Sequence, residues 1–249
     1  MKLEGKWAVI TGASAGIGAA TARELARRGM NLVLGARRVE RLEALRSELS
    51  QVEVRAIPLD VTSRESCEAF AAQAQEAEIL VNNAGLARGL DEVVRGREED
   101  WRVMMETNLM GLLRLTRLFL PQMIERKNGT IVNVGSVAGV EAYPRAAVYC
   151  ATKAGVRSIT KALRHELLGT GVRVCNVEPG AVETEFSLVR FSGDEARAKK
   201  VYQGFTPLTA EDVAEAIGFV VSRPPHMTVE EMVLYPTAQA GTMALHREG

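Results

Sequence analysis

The chain alternates between two hydrophobic patterns. Short apolar runs, many of them β-branched, are typical of buried strands, and we predict strands at residues 7–11, 31–35, 52–58, 79–82, 130–134, 173–177 and 231–235. Longer segments with apolar residues every three or four positions predict helices at residues 18–28, 38–49, 64–75, 98–125, 147–168 and 210–222. Alternation of strands with helices favours a three-layer, doubly wound α/β fold, Rossmann-like, with a parallel seven-stranded sheet.

No Pro- or Ser-rich linker and no break in composition divides the 249 residues, and α/β folds of this length often form one unit. We therefore expect a single domain over residues 1–249. One connection is long for such a fold, because residues 181–206 mix Phe, Val and Leu with charged residues and Gly. Connections of that length are usually functional, so we predict that residues 181–206 form a substrate lid.

Composition narrows the classes of partner. Lysine plus arginine and aspartate plus glutamate both number 31, so the formal charge is zero and nucleic acid is not expected as a partner. Cys67, Cys150 and Cys175 lack C-x-x-C spacing, which argues against disulfides or a zinc site and fits a cytoplasmic protein. The histidines share no ligand spacing, so we assign no metal. We recognise no signal peptide and no apolar run that could span a bilayer, and expect no membrane contact.

A glycine-rich loop follows the first predicted strand. The sequence TGASAGIG, residues 11–18, leads into the first predicted helix, where backbone N–H groups and the helix dipole can receive a pyrophosphate. Glycine is needed because a Cβ would block close approach of the backbone. The spacing differs from the G-x-G-x-x-G fingerprint, so a plain glycine-rich turn is the alternative. The candidate binding residues are Gly12, Ser14, Ala15, Gly16, Ile17 and Gly18.

Two arginines follow the second predicted strand, at the place where an NAD enzyme would offer an acidic residue to the ribose hydroxyls. Arg37 and Arg38 stand there instead. An arginine can pair bidentately with a 2'-phosphate, which favours NADP over NAD; the alternative is that both are solvated side chains at a helix start. After the third strand, Asp60 and Val61 are placed to meet an adenine ring, with a helix N-cap as the alternative for Asp60.

The sequence NNAG, residues 82–85, ends the fourth predicted strand at the carboxyl edge of the sheet, where ligands bind in open α/β folds. Asn83, Ala84 and Gly85 are therefore candidates for contact with a cofactor. Buried asparagine side chains can also tie strand ends together, so a structural role is an equal alternative, and both can hold.

Three residues carry the proposed chemistry. Ser136 follows the fifth predicted strand, Tyr149 comes thirteen positions later, and Lys153 lies four residues beyond Tyr149 on the same helix face. A free tyrosine has a pKa of about 10, but an ammonium one turn away can stabilise its phenolate, so Tyr149 becomes a candidate general acid and base. Ser136 can hydrogen-bond the substrate oxygen while a hydride moves to or from carbon.

Together these motifs resemble the short-chain dehydrogenase/reductase family, from Val9 to about Pro236; PGAVET, residues 179–184, belongs to the same pattern. The resemblance implies a Rossmann-like seven-stranded sheet in a tetramer or dimer, with Ser136, Tyr149 and Lys153 as the catalytic set. It also implies that Asn108 holds a water linking Lys153 to solvent, and that Tyr149 and Lys153 contact the cofactor. At the nicotinamide end it implies contacts from Pro179, Gly180, Val182 and Thr184.

A narrower likeness lies in three segments, VNNAGLARGLD, LLGTGVRVCNVEPGAVETEFSLVRF and VYQGFTPLTAEDVAEAI. They are similar to the NADP-dependent 3-hydroxy acid dehydrogenases, a group that includes serine 3-dehydrogenase and allo-threonine dehydrogenase activities. For the substrate carboxylate we nominate Arg190, because a guanidinium can pair with it in a fork; a solvent-facing lid charge is the alternative. Glu141 and Arg145 depart from the group's pattern: Glu141 could repel a carboxylate, and Arg145 could replace or assist Arg190.

Other functions remain open from sequence alone. A reductase of 3-oxoacyl groups or a general carbonyl reductase would use the same chemistry on a different small-molecule substrate. A non-catalytic NADPH-sensing protein would use the same fold, but it would have no need of the complete set of Asn108, Ser136, Tyr149 and Lys153.

Overall fold

A computed structural model describes residues 2–248 and contains a parallel seven-stranded sheet in the order β3-β2-β1-β4-β5-β6-β7. All seven predicted strands are present, which confirms the α/β fold. Both faces of the sheet are covered, so the strands read as continuous apolar runs rather than alternating ones. The strands are β1 Trp7–Thr11, β2 Asn31–Ala36, β3 Val54–Pro58, β4 Ile79–Asn82, β5 Gly129–Val134, β6 Val172–Pro179 and β7 Glu231–Leu234.

The helices form a layer on each face of the sheet. They are α1 Gly16–Arg27, α2 Val39–Glu48, α3 Arg64–Ala71, α4 Glu98–Met105, α5 Leu112–Glu125, α6 Ala147–Glu166, α7 Phe186–Arg190, α8 Glu195–Lys200 and α9 Ala210–Val221. Side chains alternate along a strand, so β1 contributes to the core on both faces of the sheet. Ala8 and Ile10 belong to the core beneath α1, α2 and α9. Val9 belongs to the core beneath α3, α5 and α6. None of the helices within residues 2–248 is long and apolar enough to cross a bilayer.

The prediction of one continuous helix over residues 98–125 is wrong. A π-helical turn, Glu106–Gly111, separates α4 from α5. At this turn the Asn108 side chain accepts a hydrogen bond from the Leu86 N–H and donates one to the Leu86 carbonyl, each at 2.8 Å. Hydrophobic periodicity cannot reveal one residue inserted into a helix, and such insertions are frequent at functional sites.

The long connection predicted as a lid is partly helical. Residues 181–206 contain the short helices α7 and α8, and Val182 forms an isolated parallel bridge with Leu208. The end of the chain packs against this segment, where the Glu248 N–H donates to the Gly204 carbonyl at 2.7 Å and Arg247 donates to the Val201 carbonyl at 2.9 Å. The connection is therefore held in place from outside as well as by its own helices.

Candidate active site

A cleft of about 800 Å³ opens at the carboxyl ends of the strands. Strand order reverses between β1 and β4, and this is the place where open α/β sheets bind ligands. The cleft brings together Ser136, Arg190 and all but one of the residues predicted to contact a cofactor. The latter are Gly12, Ser14, Ala15, Gly16, Ile17, Arg37, Arg38, Asp60, Val61, Asn83, Ala84, Gly85, Tyr149, Lys153, Pro179, Gly180, Val182 and Thr184.

Gly18 is the exception, and its role is internal. A Cβ at Gly18 would lie 2.4 Å from the Gly12 carbonyl oxygen and 2.6 Å from the Asn83 Nδ2, so only glycine lets the start of α1 pack on the loop. Gly12 and Gly16 have φ values of 65° and 53°, a region that favours glycine. The first turn of α1 has no acidic residue, and Ala15 at its N-cap offers no side-chain cap, so the helix N-terminus is suited to an anion.

The two asparagines after β4 hold strand ends together. Asn82 donates to Thr116 Oγ1 and Asn133 Oδ1, both at 3.0 Å. Asn83 donates to the Thr11 carbonyl at 2.8 Å, which fixes the end of β4 against the start of the glycine loop. The structural role weighed for these amides is therefore present, while Asn83 also lines the cleft.

The arginines after β2 differ in their surroundings. Arg37 is exposed and makes no hydrogen bond or ion pair within residues 2–248. Arg38 donates to Ser14 Oγ at 3.2 and 3.3 Å, and also to Glu185 at 2.8 Å. Arg41 donates to the other oxygen of the same Glu185 carboxylate at 2.6 Å. Arg37 and Arg38 thus line the cleft beside the glycine loop, and Arg41 lies next to them through Glu185.

Asp60 is not a helix N-cap. Its Oδ1 accepts hydrogen bonds from Thr62 N–H at 3.0 Å and Thr62 Oγ1 at 2.7 Å, whereas the N-cap of α3 is Ser63. Burial acts to raise the pKa of Asp60, but the hydrogen bonds from Thr62 outweigh it and the pKa lies below its usual value. Val61, beside it, is buried and lines the cleft.

Ser136, Tyr149 and Lys153 come together at the other end of the cleft. Ser136 is the N-cap of a 3-10 turn, Val137–Gly139, and accepts a hydrogen bond from the Ala138 N–H at 3.1 Å. Tyr149 and Lys153 lie on α6, and each is 7% exposed. The Lys153 Nζ donates to the Val134 carbonyl at 2.8 Å and lies 5.9 Å from the centroid of the Tyr149 ring.

Burial shifts the pKa of both groups on α6. It raises the pKa of Tyr149 above its usual value, and Tyr143 adds to the rise, while Ser136 and Arg190 act in the opposite direction. Burial also lowers the pKa of Lys153 to about 8, with Glu178 opposing the shift. At neutral pH Tyr149 therefore keeps its proton, and most of Lys153 is still an ammonium.

Asn108 lies behind the cleft rather than on it. Besides its two bonds to Leu86, its Nδ2 donates to Thr152 Oγ1 at 3.0 Å. A Cβ placed on Gly85 would lie 3.3 Å from Asn108 Oδ1 and 3.6 Å from Lys153 Nζ, so the two side chains meet behind Gly85. Asn108 and Lys153 thus both approach Gly85, and the role of Asn108 in supporting Lys153 stays a prediction.

Arg190 lies at the end of α7 beside Tyr149. Its Nε donates to the Gly89 carbonyl at 3.0 Å and its Nη1 donates to the Tyr143 hydroxyl at 2.9 Å. The guanidinium carbon is 5.7 Å from the centroids of both the Tyr143 and the Tyr149 rings. The buried Nη2 has no hydrogen-bond partner in the described part of the chain. One nitrogen of this guanidinium is therefore buried without a hydrogen-bond partner among the described residues.

The other two charges in this region do not face the cleft. Arg145 is exposed and lines a small hollow of about 20 Å³ that it shares with Tyr149 and Arg190. Glu141 accepts a hydrogen bond from the Thr242 N–H at 2.8 Å. This carboxylate therefore helps to hold the segment around Thr242, and its effect on a substrate carboxylate stays a prediction.

Several lining residues were not predicted. Tyr143 lies between Ser136 and Tyr149 in the sequence, but its contact with Arg190 could not be read from the sequence. Glu185 carries no motif of its own. Residues near the C-terminus, Gln239, Thr242, Leu245 and Arg247, also line the cleft. They follow the last strand without any periodic pattern, so no sequence signal identified them.

Comparison with known proteins agrees with this geometry. A family model described as short chain dehydrogenase matches residues 6–194. The NADP-dependent 3-hydroxy acid dehydrogenase of Schizosaccharomyces pombe is 41% identical over 99% of this chain and 98% of that protein. The sulfoacetaldehyde reductase of Chromohalobacter salexigens is 45% identical over 93% of this chain and 94% of that protein. A solved structure of the closed form of serine dehydrogenase complexed with NADP+ is 42% identical, with a TM-score of 0.91 over 97% of this chain and 100% of that one.

Proposed function

The chain belongs to the short-chain dehydrogenase family, and we propose that this oxidoreductase uses NADP to interconvert a small 3-hydroxy acid, such as serine or a 3-hydroxypropionate-like compound, and its carbonyl counterpart. The observation that carries the substrate assignment is the unpaired, buried Nη2 of Arg190 next to Tyr149. A buried guanidinium nitrogen without a partner is costly, and a substrate anion removes that cost.

The residues of the cleft fit NADP. The uncapped N-terminus of α1, with the glycine loop, suits the pyrophosphate, and Arg37 and Arg38 suit the 2'-phosphate. Asp60 and Val61 would meet the adenine ring. Asn83, Ala84 and Gly85 would lie along the middle of the cofactor, and the nicotinamide end would contact Pro179, Gly180, Val182 and Thr184. When bound, NADP supplies the hydride acceptor or donor.

Proton transfer falls to Tyr149. In reduction its hydroxyl donates a proton to the substrate carbonyl oxygen, and in oxidation the phenolate removes the proton from the substrate hydroxyl. The raised pKa of Tyr149 keeps its hydroxyl protonated at neutral pH, which the donor role requires. For the reverse role, Lys153 and Ser136 would stabilise the phenolate, and Ser136 would also hold the substrate oxygen. Asn108 would act behind Lys153 as a positioning residue, or through a water linking it to solvent.

Arg190 would bind the substrate carboxylate. The names of two relatives, a 3-hydroxy acid dehydrogenase and a sulfoacetaldehyde reductase, both describe substrates with an anionic group near the reacting carbon. A carboxylate and a sulfonate can each accept from a guanidinium. Arg145 is the weaker candidate because it is exposed and, unlike Arg190, does not line the main cleft. A 3-oxoacyl or general carbonyl reductase has no need of such a cation.

We also propose a single domain over residues 1–249, with residues 181–206 as the lid over the substrate end. A homodimer or homotetramer is supported by the partly exposed Val103, Met105, Met110 and Leu113 around the π-helical turn, which are large apolar side chains for a free surface. A cytoplasmic location is supported by three buried, unpaired cysteines.

The test is a comparison of cofactors and substrates with purified protein. NADP and NAD are each supplied with 3-hydroxypropionate, L-serine, allo-threonine, isethionate and simple secondary alcohols, and reduced cofactor is followed by absorbance. We expect turnover of the hydroxy acids with NADP, and we expect Tyr149→Phe to abolish turnover while leaving NADPH binding unchanged. Activity only on uncharged alcohols would remove the carboxylate assignment. Binding of NADPH without turnover of any substrate would favour the sensing protein instead.

A further inference from the structure

The carboxylate of Glu185, in the segment proposed as the lid, forms ion pairs with Arg38 and Arg41 at the proposed adenosine end of the cleft. Glu185 accepts from Arg38 Nη1 at 2.8 Å through one oxygen and from Arg41 Nη1 at 2.6 Å through the other. Arg38 also donates to Ser14 in the glycine loop. Glu185 is the N-cap residue of α7, so this ion pair joins the start of the lid helix to the far side of the cleft.

The donors held by Glu185 are those that a 2'-phosphate would require. Ser14 and Arg38 are predicted phosphate ligands, and both line the cleft beside Arg37. Arginine is well suited to phosphate because its guanidinium presents several donors, and here Arg38 and Arg41 each donate one Nη1 to a different oxygen of the carboxylate. The Glu185 carboxylate therefore takes the place of an anion at this rim.

We propose that Glu185 is a cofactor-specificity residue, whose carboxylate pairs with the donors of Arg38 and Arg41 that a 2'-phosphate would use and must be displaced when NADP binds. This inference rests on the proposed use of NADP. Glu185 is ionised at neutral pH, because hydrogen bonds from Arg41 and Arg38 hold the pKa of its carboxyl group below the usual value. A 2'-phosphate brought to the same donors meets a like charge until Glu185 leaves, whereas an unphosphorylated ribose does not compete for them.

The displacement would also change the constraint on the lid. Thr184, the residue before Glu185, packs against the glycine loop, since a Cβ at Gly16 would lie 3.3 Å from two of its side-chain atoms. Once Glu185 is displaced, the start of α7 is no longer tied to Arg38 and Arg41. Binding at the adenosine end would thereby alter the freedom of the segment that carries Arg190 at its other end.

The substitution that tests this is Glu185→Gln, which keeps the size of the side chain and removes its charge. The side chains of Glu185, Arg38 and Arg41 are 40%, 42% and 45% exposed, so loss of this surface pair should leave folding intact. Glu183→Gln is the matched control, because Glu183 is an exposed carboxylate two positions away whose side chain has no hydrogen bond or ion pair in the described chain. Equal thermal midpoints would verify the fold of both variants.

Isothermal titration calorimetry would measure the binding of adenosine 2',5'-bisphosphate and of 5'-AMP, two probes that differ only in the 2'-phosphate. We expect Glu185→Gln to bind the bisphosphate about ten-fold more tightly than the unchanged protein, with 5'-AMP unaffected, and Glu183→Gln to match the unchanged protein. The gain should shrink in 0.5 M salt, where charges at this rim are screened.

Unchanged or weaker binding of the bisphosphate by Glu185→Gln would overturn the proposal, because Glu185 would then be neutral toward the cofactor or would assist it. An equal gain for both probes would overturn it too, since the effect would not concern the 2'-phosphate. Failure of NADP dependence itself would show separately, as a preference of the unchanged protein for 5'-AMP and NADH over the phosphorylated probes.

Discussion

Removal of the Arg190 guanidinium should separate anionic from uncharged substrates. Arg190 holds the Gly89 carbonyl and the Tyr143 hydroxyl with two of its nitrogens and leaves Nη2 without a partner. In Arg190→Met the cation is lost but the apolar stem remains. In Arg190→Lys the charge remains, but the fork that can pair with a carboxylate does not.

The size of the effect follows from the kind of bond that is lost. A hydrogen bond to a charged group contributes about 1.5 to 3 kcal/mol, and about 1.4 kcal/mol corresponds to a factor of ten. We therefore expect Arg190→Met to lower kcat/KM for a 3-hydroxy acid by about 10- to 150-fold. Arg190→Lys should fall between Arg190→Met and the unchanged enzyme, because a point charge replaces only part of a fork.

The assay uses 3-hydroxypropionate and its methyl ester, which present the same hydroxyl with and without the negative charge. Arg190→Met should lose kcat/KM on the acid and keep most of it on the ester. Equal losses on the two substrates would refute the reasoning, because they would mean that the variant disturbs α7 or Tyr149 rather than a carboxylate contact. Tyr143→Phe serves as the control, since it removes one bond to Arg190 without removing the cation.

Three other changes have outcomes that the structure fixes in sign. Gly18→Ala places a Cβ 2.4 Å from the Gly12 carbonyl oxygen, so overpacking should cost about 1 to 3 kcal/mol in urea unfolding and weaken NADPH binding in a fluorescence titration. Lys153→Met should inactivate the enzyme yet stabilise it near pH 7, by about 3 kcal/mol at most, because burial lowers the pKa of Lys153 to about 8. Between pH 8 and about 10.5 Lys153 is protonated in the unfolded chain but neutral in the folded one, so the stability of the unchanged protein rises with pH in this range. The difference in unfolding free energy between Lys153→Met and the unchanged protein should therefore vanish when unfolding is measured at pH 10.5. Glu141→Gln removes the charge of the acceptor that binds the Thr242 N–H, so we expect the free energy of unfolding to fall by at most about 1 kcal/mol. Faster proteolysis of the C-terminal segment in this variant would show that Glu141 holds the segment.

The fold was predictable because its strands are buried on both faces. The bounds predicted for β1 and β4 agree with the structure, at Trp7–Thr11 and Ile79–Asn82, since continuous apolar runs flanked by glycine or polar residues leave little freedom in placement. The π-helical turn Glu106–Gly111 was not predictable, because α4 and α5 flank it with an unbroken apolar stripe. At this turn Asn108 contacts Leu86, which lies 22 positions away along the chain, and local periodicity carries no information on such a contact.

The candidate site divides in the same way. The glycine loop and the Ser136, Tyr149 and Lys153 set follow from local spacing, because each motif lies at the end of a strand or on one helix face. The sequence nominated Arg190 and offered Arg145 as a residue that could replace or assist it, and packing now distinguishes the two. Arg145 has a φ of 66° and stays exposed, whereas Arg190 ends α7 beside Tyr149. The exposure of these two side chains depends on contacts with residues distant in the sequence, so local patterns cannot predict it.

Glu185 and Arg190 lie at the two ends of the same short helix, Phe186–Arg190, where Glu185 is the N-cap and Arg190 the last residue. At 1.5 Å per residue the helix spans only about 8 Å, which is too short to bend appreciably, so the two side chains move together. One side chain contacts the arginines at the adenosine end, and the other lies beside Tyr149 at the substrate end. On the proposed function, a 2'-phosphate displaces Glu185 and so frees the helix that carries Arg190, the cation for the substrate. This geometry therefore favours binding of the cofactor before the substrate.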